Sequence, residues 1–159
     1  MSLVRDTKGS VFVETLVGLL VPIVFFFVTW QLVDLFTAQL ILKHAAVAAV
    51  RAAIVVGPDD PRFYGGQAVN DFSKGGARFR DVERAAALVL GAAPNLQTAF
   101  SIEIHGATDG NGPITVAVDA DYQCHGGWLS YVCGGGGFRR LKTEATMPYQ
   151  GAKYAYIGR

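Results

Sequence analysis

The sequence predicts an α+β fold. One long N-terminal helix, its first half a membrane span, carries a small head made of a three- to four-stranded antiparallel sheet and one or two short helices. Three observations carry this. The uncharged apolar run TLVGLLVPIVFFFVTWQLV fills residues 15–33, between Glu14 and Asp34. A helix-compatible pattern rich in Leu, Ala and Gln continues from it without a breaker to Gly57-Pro58. From Leu96 onward the apolar period changes from that of a helix to two, the period of a half-buried strand.

At ~1.5 Å per residue the apolar run makes a helix of about 28 Å, the thickness of a bilayer core. No second run of this kind follows, so the chain is expected to cross a membrane once. Trp30 falls near the outer end, where an indole anchors at the interface. The preceding tail, MSLVRDTKG, holds Arg5 and Lys8 against Asp6. Short basic flanks stay in the cytoplasm, which sends the rest of the chain to the other side. A cleaved secretory signal fits less well, because its apolar core is usually ~7–15 residues and the small-residue site in HAAVAAVRAA comes well after the run ends. Pro22 inside the run is expected to kink the helix rather than end it, as prolines do in lipid. Helix over residues 10–56 is about 70 Å long, so its second half must pack on something other than lipid.

Glu14 is the informative residue. An ionisable group in the first turns of a membrane helix is costly and usually has a partner. Gly9-Ser10-Val11-Phe12-Val13-Glu14 follows the short basic leader, and a cut after Gly9 makes Ser10 the new N-terminus with Glu14 at its fifth position. This arrangement resembles the processing signal of type IV pilins. More narrowly, GSVFVETLVGLLVPI followed by HAAVAAVRAAIV is similar to the TadE-like minor pilins of tight-adherence pilus systems. Gly9, Glu14, Pro22, Ala45, Ala46, Ala48, Ala49 and Arg51 carry the match, over about the first 56 residues. Pro22 stands somewhat later after Glu14 than in that family's pattern.

The resemblance implies a pilin-like fold and a non-enzymatic structural role. Residues 1–9 would be a cytoplasmic leader removed by a prepilin peptidase, residues 10–56 the long helix, and residues 57–159 a periplasmic or extracellular head. It also implies anchoring in the bacterial inner membrane, pairing of Glu14 with the Ser10 amine, and assembly with other pilin subunits and a pilus platform. Two other readings stay open. A type II secretion pseudopilin shares the logic of Gly9 and Glu14, and an uncleaved single-pass protein would carry a periplasmic binding module or enzyme.

The helix stops at Gly57-Pro58-Asp59-Asp60-Pro61. Residues 57–78 read as a loop with a short helix, and residues 79–90 place Phe79, Val82, Ala86, Val89 and Leu90 at helical spacing. Lys74, Arg78, Arg80 and Arg84 are interleaved with Asp71, Asp81 and Glu83, the pattern of a solvated helix rather than a nucleic-acid patch. A formal net charge of +1 also argues against nucleic acid as a partner. In LQTAFSIEIH and ITVAVDADY, alternate positions are apolar, and Asp109-Gly110-Asn111-Gly112 between them is a hairpin signature. A third strand, RRLKTEATM, puts Leu141, Thr143, Ala145 and Met147 on one face. Such a one-sided sheet needs a cover, which the long helix and the 79–90 helix are expected to supply. The Ala-rich residues 40–56 are assigned to that packing, and residues 10–35 to neighbouring subunits.

Cys124 and Cys133 flank HGGWLSYV, and an oxidising compartment would favour a disulfide between them. Trp128 and Tyr131 on that loop either contact a partner or fold back on the sheet. His125 beside Cys124 lacks an evident fourth ligand, so no metal and no cofactor is expected. Ser101, His105 and Asp119 share the polar strand positions, but alternating polar residues produce such sets freely and no strained elbow presents the serine. The Asp109 turn lacks the downstream glutamate of a calcium loop, and no phosphate-binding glycine motif is present.

Overall fold

A computed structural model of the chain describes residues 7–93, 95–106, 112–124 and 137–149. Helix α1 spans Thr7–Val56, a short 3-10 turn spans Pro61–Tyr64, and helix α2 spans Ala77–Leu90. Strands β1 (Leu96–His105), β2 (Ile114–Gln123) and β3 (Phe138–Met147) form one antiparallel sheet in the order β1-β2-β3. The strand faces follow the alternation of the sequence. Ile114, Val116, Val118, Ala120 and Tyr122 of β2 are buried, and Ile102 and Leu141 lie beside them on the flanking strands. The register is irregular between Leu96 and Phe100.

Helix α1 runs for 50 residues with Pro22 inside it, a length of about 75 Å. It behaves as two halves. From Val11 to Trp30 nearly every side chain is exposed. From Gln31 onward one stripe is buried: Gln31, Leu35, Ala38, Leu42, Ala45, Ala49 and Ala53. Steps of three and four residues keep this stripe on one side of a helix. It packs on β2 and β3, closing the apolar face of the sheet. The head therefore takes hold of α1 two turns earlier than residue 40, where sequence reasoning had it begin. Ala45, Ala46, Ala49 and Ala53 have no exposed surface; their small side chains let α2 and the sheet both approach the helix backbone. Helix α2, whose Val82, Ala86 and Leu90 are buried, lies along α1 and meets β1 only marginally. The cover of the sheet is thus chiefly α1, not both helices equally.

The far end of α1 corrects a second expectation. Arg78, counted among solvated basic residues, is completely buried. The last carbonyls of a helix have no intrahelical donors and carry partial negative charge. Arg78 supplies donors there: Nη1 donates to the carbonyls of Val56 and Gly57, and Nη2 donates to that of Asp59 at 2.8 Å. Its guanidinium stacks over the Tyr64 ring, 4.3 Å from the centroid, a favourable cation–π arrangement. The buried position 57 requires glycine, because a Cβ would lie 2.8 Å from Asn70 Oδ1 and 2.9 Å from the Ala53 carbonyl. Asn70 itself holds φ 59° and donates its backbone N–H to the Gly57 carbonyl at 2.9 Å, a left-handed conformation that asparagine tolerates better than most residues.

Candidate functional site

The candidate site is the uncovered face of α1. Val11, Leu19, Phe26 and Val33 are exposed along it, and so, past the end of the apolar run, are Phe36 (65%) and Leu40 (58%). The polar residues on this helix are largely self-contained. Thr15, Thr29 and Thr37 each donate a hydroxyl to the carbonyl four residues back, at 2.8 Å. Such back-bonding satisfies a hydroxyl that would otherwise resist an apolar environment. Glu14 is the exception: it is exposed, and among the described residues its side chain has no hydrogen-bond or ion-pair partner. The backbone of Gly9 and Ser10 lies within α1, so Ser10 and Glu14 are one turn apart on the same helix.

The lower edge of the head is fixed by a buried polar contact that sequence reasoning missed. Gln31 Nε2 donates to the Tyr122 hydroxyl at 3.2 Å, with Gln31 2% and Tyr122 0% exposed. A glutamine inside an apolar run was the only signal, and its partner is 91 residues away. Next to it Trp30 Nε1 donates to Asp34 Oδ2 at 2.9 Å. Burial, and then the nearby Asp34 carboxylate, push the Tyr122 phenol above its ordinary 10.0. Tyr64 is raised for the same first reason, with Asp59 second.

A raised acid in the folded state favours folding below the unfolded value, and that advantage is lost as pH rises through the folded value. Stability of the head is therefore expected to decline above about pH 10. In a Tyr122→Phe variant that alkaline decline is expected to shrink. At neutral pH the variant should lose about 1–2 kcal/mol, because the Gln31 amide stays buried without its partner. Thermal unfolding at a series of pH values, followed by near-ultraviolet circular dichroism, checks both; an alkaline decline identical to that of the native chain would remove Tyr122 from the account.

The polar set dismissed on sequence grounds is not assembled in the fold either. Ser101 faces Asp119 across β1 and β2, but His105 faces Thr115, four residues further along the strand, about 13 Å away at ~3.3 Å per residue. His105 instead lies 3.7 Å from Glu103. Cys124 is disulfide-bonded. Cys133, the only other cysteine of the chain, lies outside the described residues, as do His125, Trp128, Tyr131 and the turn residues Asp109, Gly110 and Asn111. Among the described residues no group of three or more His, Cys, Asp or Glu side chains is placed to hold a metal ion. An open groove of about 350 Å³ between α1 and β3 is bordered by Gln39, Lys43, Arg139 and Lys142.

Among the described residues one helix is long and apolar enough to cross a membrane, by length and composition. No family model, no curated protein and no solved structure matches the chain.

Proposed function

We propose that the chain is a TadE-like minor pilin: a structural, non-enzymatic subunit held in the inner membrane by α1, with its head on the periplasmic side. It is cut after Gly9 by a prepilin peptidase and assembled with other pilin subunits through α1. The observation that carries this reading is the length of the uncovered apolar face. From Val11 to Leu40 it runs for about 45 Å, whereas a bilayer core is about 30 Å thick. A lone bitopic anchor has no use for the surplus, and Leu40, about 10 Å beyond Val33, would face water. Side-by-side packing with other long helices covers the whole face. The exposed carboxylate of Glu14, one turn after Ser10, is consistent with pairing to an N-terminal amine once the leader is gone. The head layout, a small antiparallel sheet closed by the second half of α1, is compatible with a pilin-like plan.

The test is the N-terminus of the protein purified from membranes, read by intact mass and N-terminal peptide mapping with the peptidase gene present and deleted. The expected chain begins at Ser10 only when the peptidase is present. A chain that keeps its leader in both strains would overturn the reading and leave a single-pass anchored domain.

A further inference from the structure

The apolar run ends at Val33, yet the head already covers α1 at Gln31. Span and head therefore overlap by a little more than half a helical turn, roughly 3 Å. The headgroup region adds roughly 5–7 Å on each side of the hydrocarbon core. A head attached at that height cannot stand clear of the bilayer; its lower edge lies within the headgroup layer.

The contact that sets the height also says which edge this is. Tyr122, which holds Gln31, sits near the end of β2 and pairs across the sheet with Arg139. Gln123 pairs with Phe138 one step further on. All of Gln123, Phe138, Arg139 and Arg140 are exposed, Phe138 by 48%. Arg140, its side chain 70% exposed, faces Asp121 across the sheet and lies 3.8 Å from Asp119, so the less balanced cation is Arg139, which has no ion-pair partner among the described residues. An exposed phenyl ring beside long cationic side chains suits a membrane interface, the ring buried at the headgroup–acyl boundary and the guanidinium groups reaching phosphates. Trp30, 56% exposed and held by Asp34, stands at the same end of the head.

We infer that the β2–β3 end of the head, through Phe138, Arg139 and Arg140, is a lipid-binding seat that rests on the phosphate layer of the membrane the helix crosses. The seat fixes the height of the unassembled subunit, and its contacts must break when the subunit leaves the bilayer. This rests on α1 crossing a membrane, one part of the proposed function.

The test uses the full chain in vesicles of phosphatidylcholine and phosphatidylglycerol that carry a nitroxide on the headgroup. Single-tryptophan variants report depth: native Trp30 in a Trp128→Phe background, and Phe138→Trp, Gln123→Trp or Phe63→Trp in a background also lacking Trp30. Phe63 is 76% exposed and follows Val56, which lies about 35 Å beyond Val33 along the helix. The reporters at 138 and 123 are expected to be quenched about as strongly as Trp30 and severalfold more than the reporter at 63. Adding Arg139→Ala and Arg140→Ala should reduce the quenching at 138. Reporters at 138 and 123 that behave like the one at 63, with Trp30 quenched, would overturn the seat and leave the span standing. An unquenched Trp30 would overturn the span and the seat together.

Discussion

Replacing Arg78 with alanine is expected to cost the head about 3–5 kcal/mol, the largest effect of any single side chain in it. The guanidinium is wholly buried and donates to the carbonyls of Val56, Gly57 and Asp59, with Gln67 at 3.4 Å. Alanine removes these charge-assisted bonds together, leaves the carbonyls at the end of α1 buried without those donors, and opens a cavity against Tyr64. For a head of this size the loss corresponds to a fall in melting temperature of about 15–25 °C. Arg78→Met keeps most of the aliphatic stem, so a loss nearly as large would assign the effect to the hydrogen bonds rather than to packing. Arg78→Lys should recover only part, since an ammonium cannot reach the same carbonyls as a planar fork. Arg84→Ala serves as the contrast: its ion pair with Asp81, at 3.2 Å, is formed by a side chain 75% exposed, and such surface pairs contribute at most about 1 kcal/mol. Melting of the full chain in detergent, followed at the tyrosine bands, separates the cases. Equal losses for Arg78→Ala and Arg84→Ala would mean that water, not Arg78, solvates the helix end.

Arg78 also shows where a one-dimensional pattern stops being informative. The strand alternation was legible because each strand has one buried face, so Val116 and Val118 announce their own orientation. The helical stripe from Leu35 to Ala53 was legible for the same reason. An arginine among Asp81, Glu83 and Arg84 carries no such mark. Only the approach of the α1 terminus turns it from a surface charge into a buried donor. Gln31 is a parallel case, a polar residue whose burial depends on Tyr122 from the other end of the chain. Period fixes which face of an element is buried, not what covers it; hence α2 had its inward residues right and its neighbour wrong. At the candidate site Gly9 and Glu14 were legible through a resemblance, whereas the uncovered continuation through Phe36 and Leu40 became visible only once the head was seen to grip the opposite side of the helix.

On the proposed reading, Glu14→Ala should leave insertion and leader removal intact yet exclude the subunit from filaments. Alanine makes the run more apolar, so the membrane has no reason to reject it, and the bond the proposed peptidase would cut, Gly9–Ser10, lies four residues before the substitution. Assembly is another matter. Packing of long helices takes the N-terminal amine out of water, and an ammonium buried without its carboxylate costs about 3–5 kcal/mol, a factor of roughly 10²–10⁴ in association. Two partners for Glu14 are geometrically open: the amine of its own Ser10 at i−4, or that of a neighbouring helix. Glu14→Gln keeps the shape without the charge and should fail like alanine; Glu14→Asp keeps the charge on a shorter stem and should assemble in part. The readout is the amount of this subunit in filaments sheared from cells, set against its amount in membranes. Full incorporation of the alanine variant would sink the role of Glu14. Failure of both alanine and aspartate with success of glutamine would mean that position 14 needs side-chain length and a hydrogen bond, not charge, and the amine would then have to find its counter-ion elsewhere.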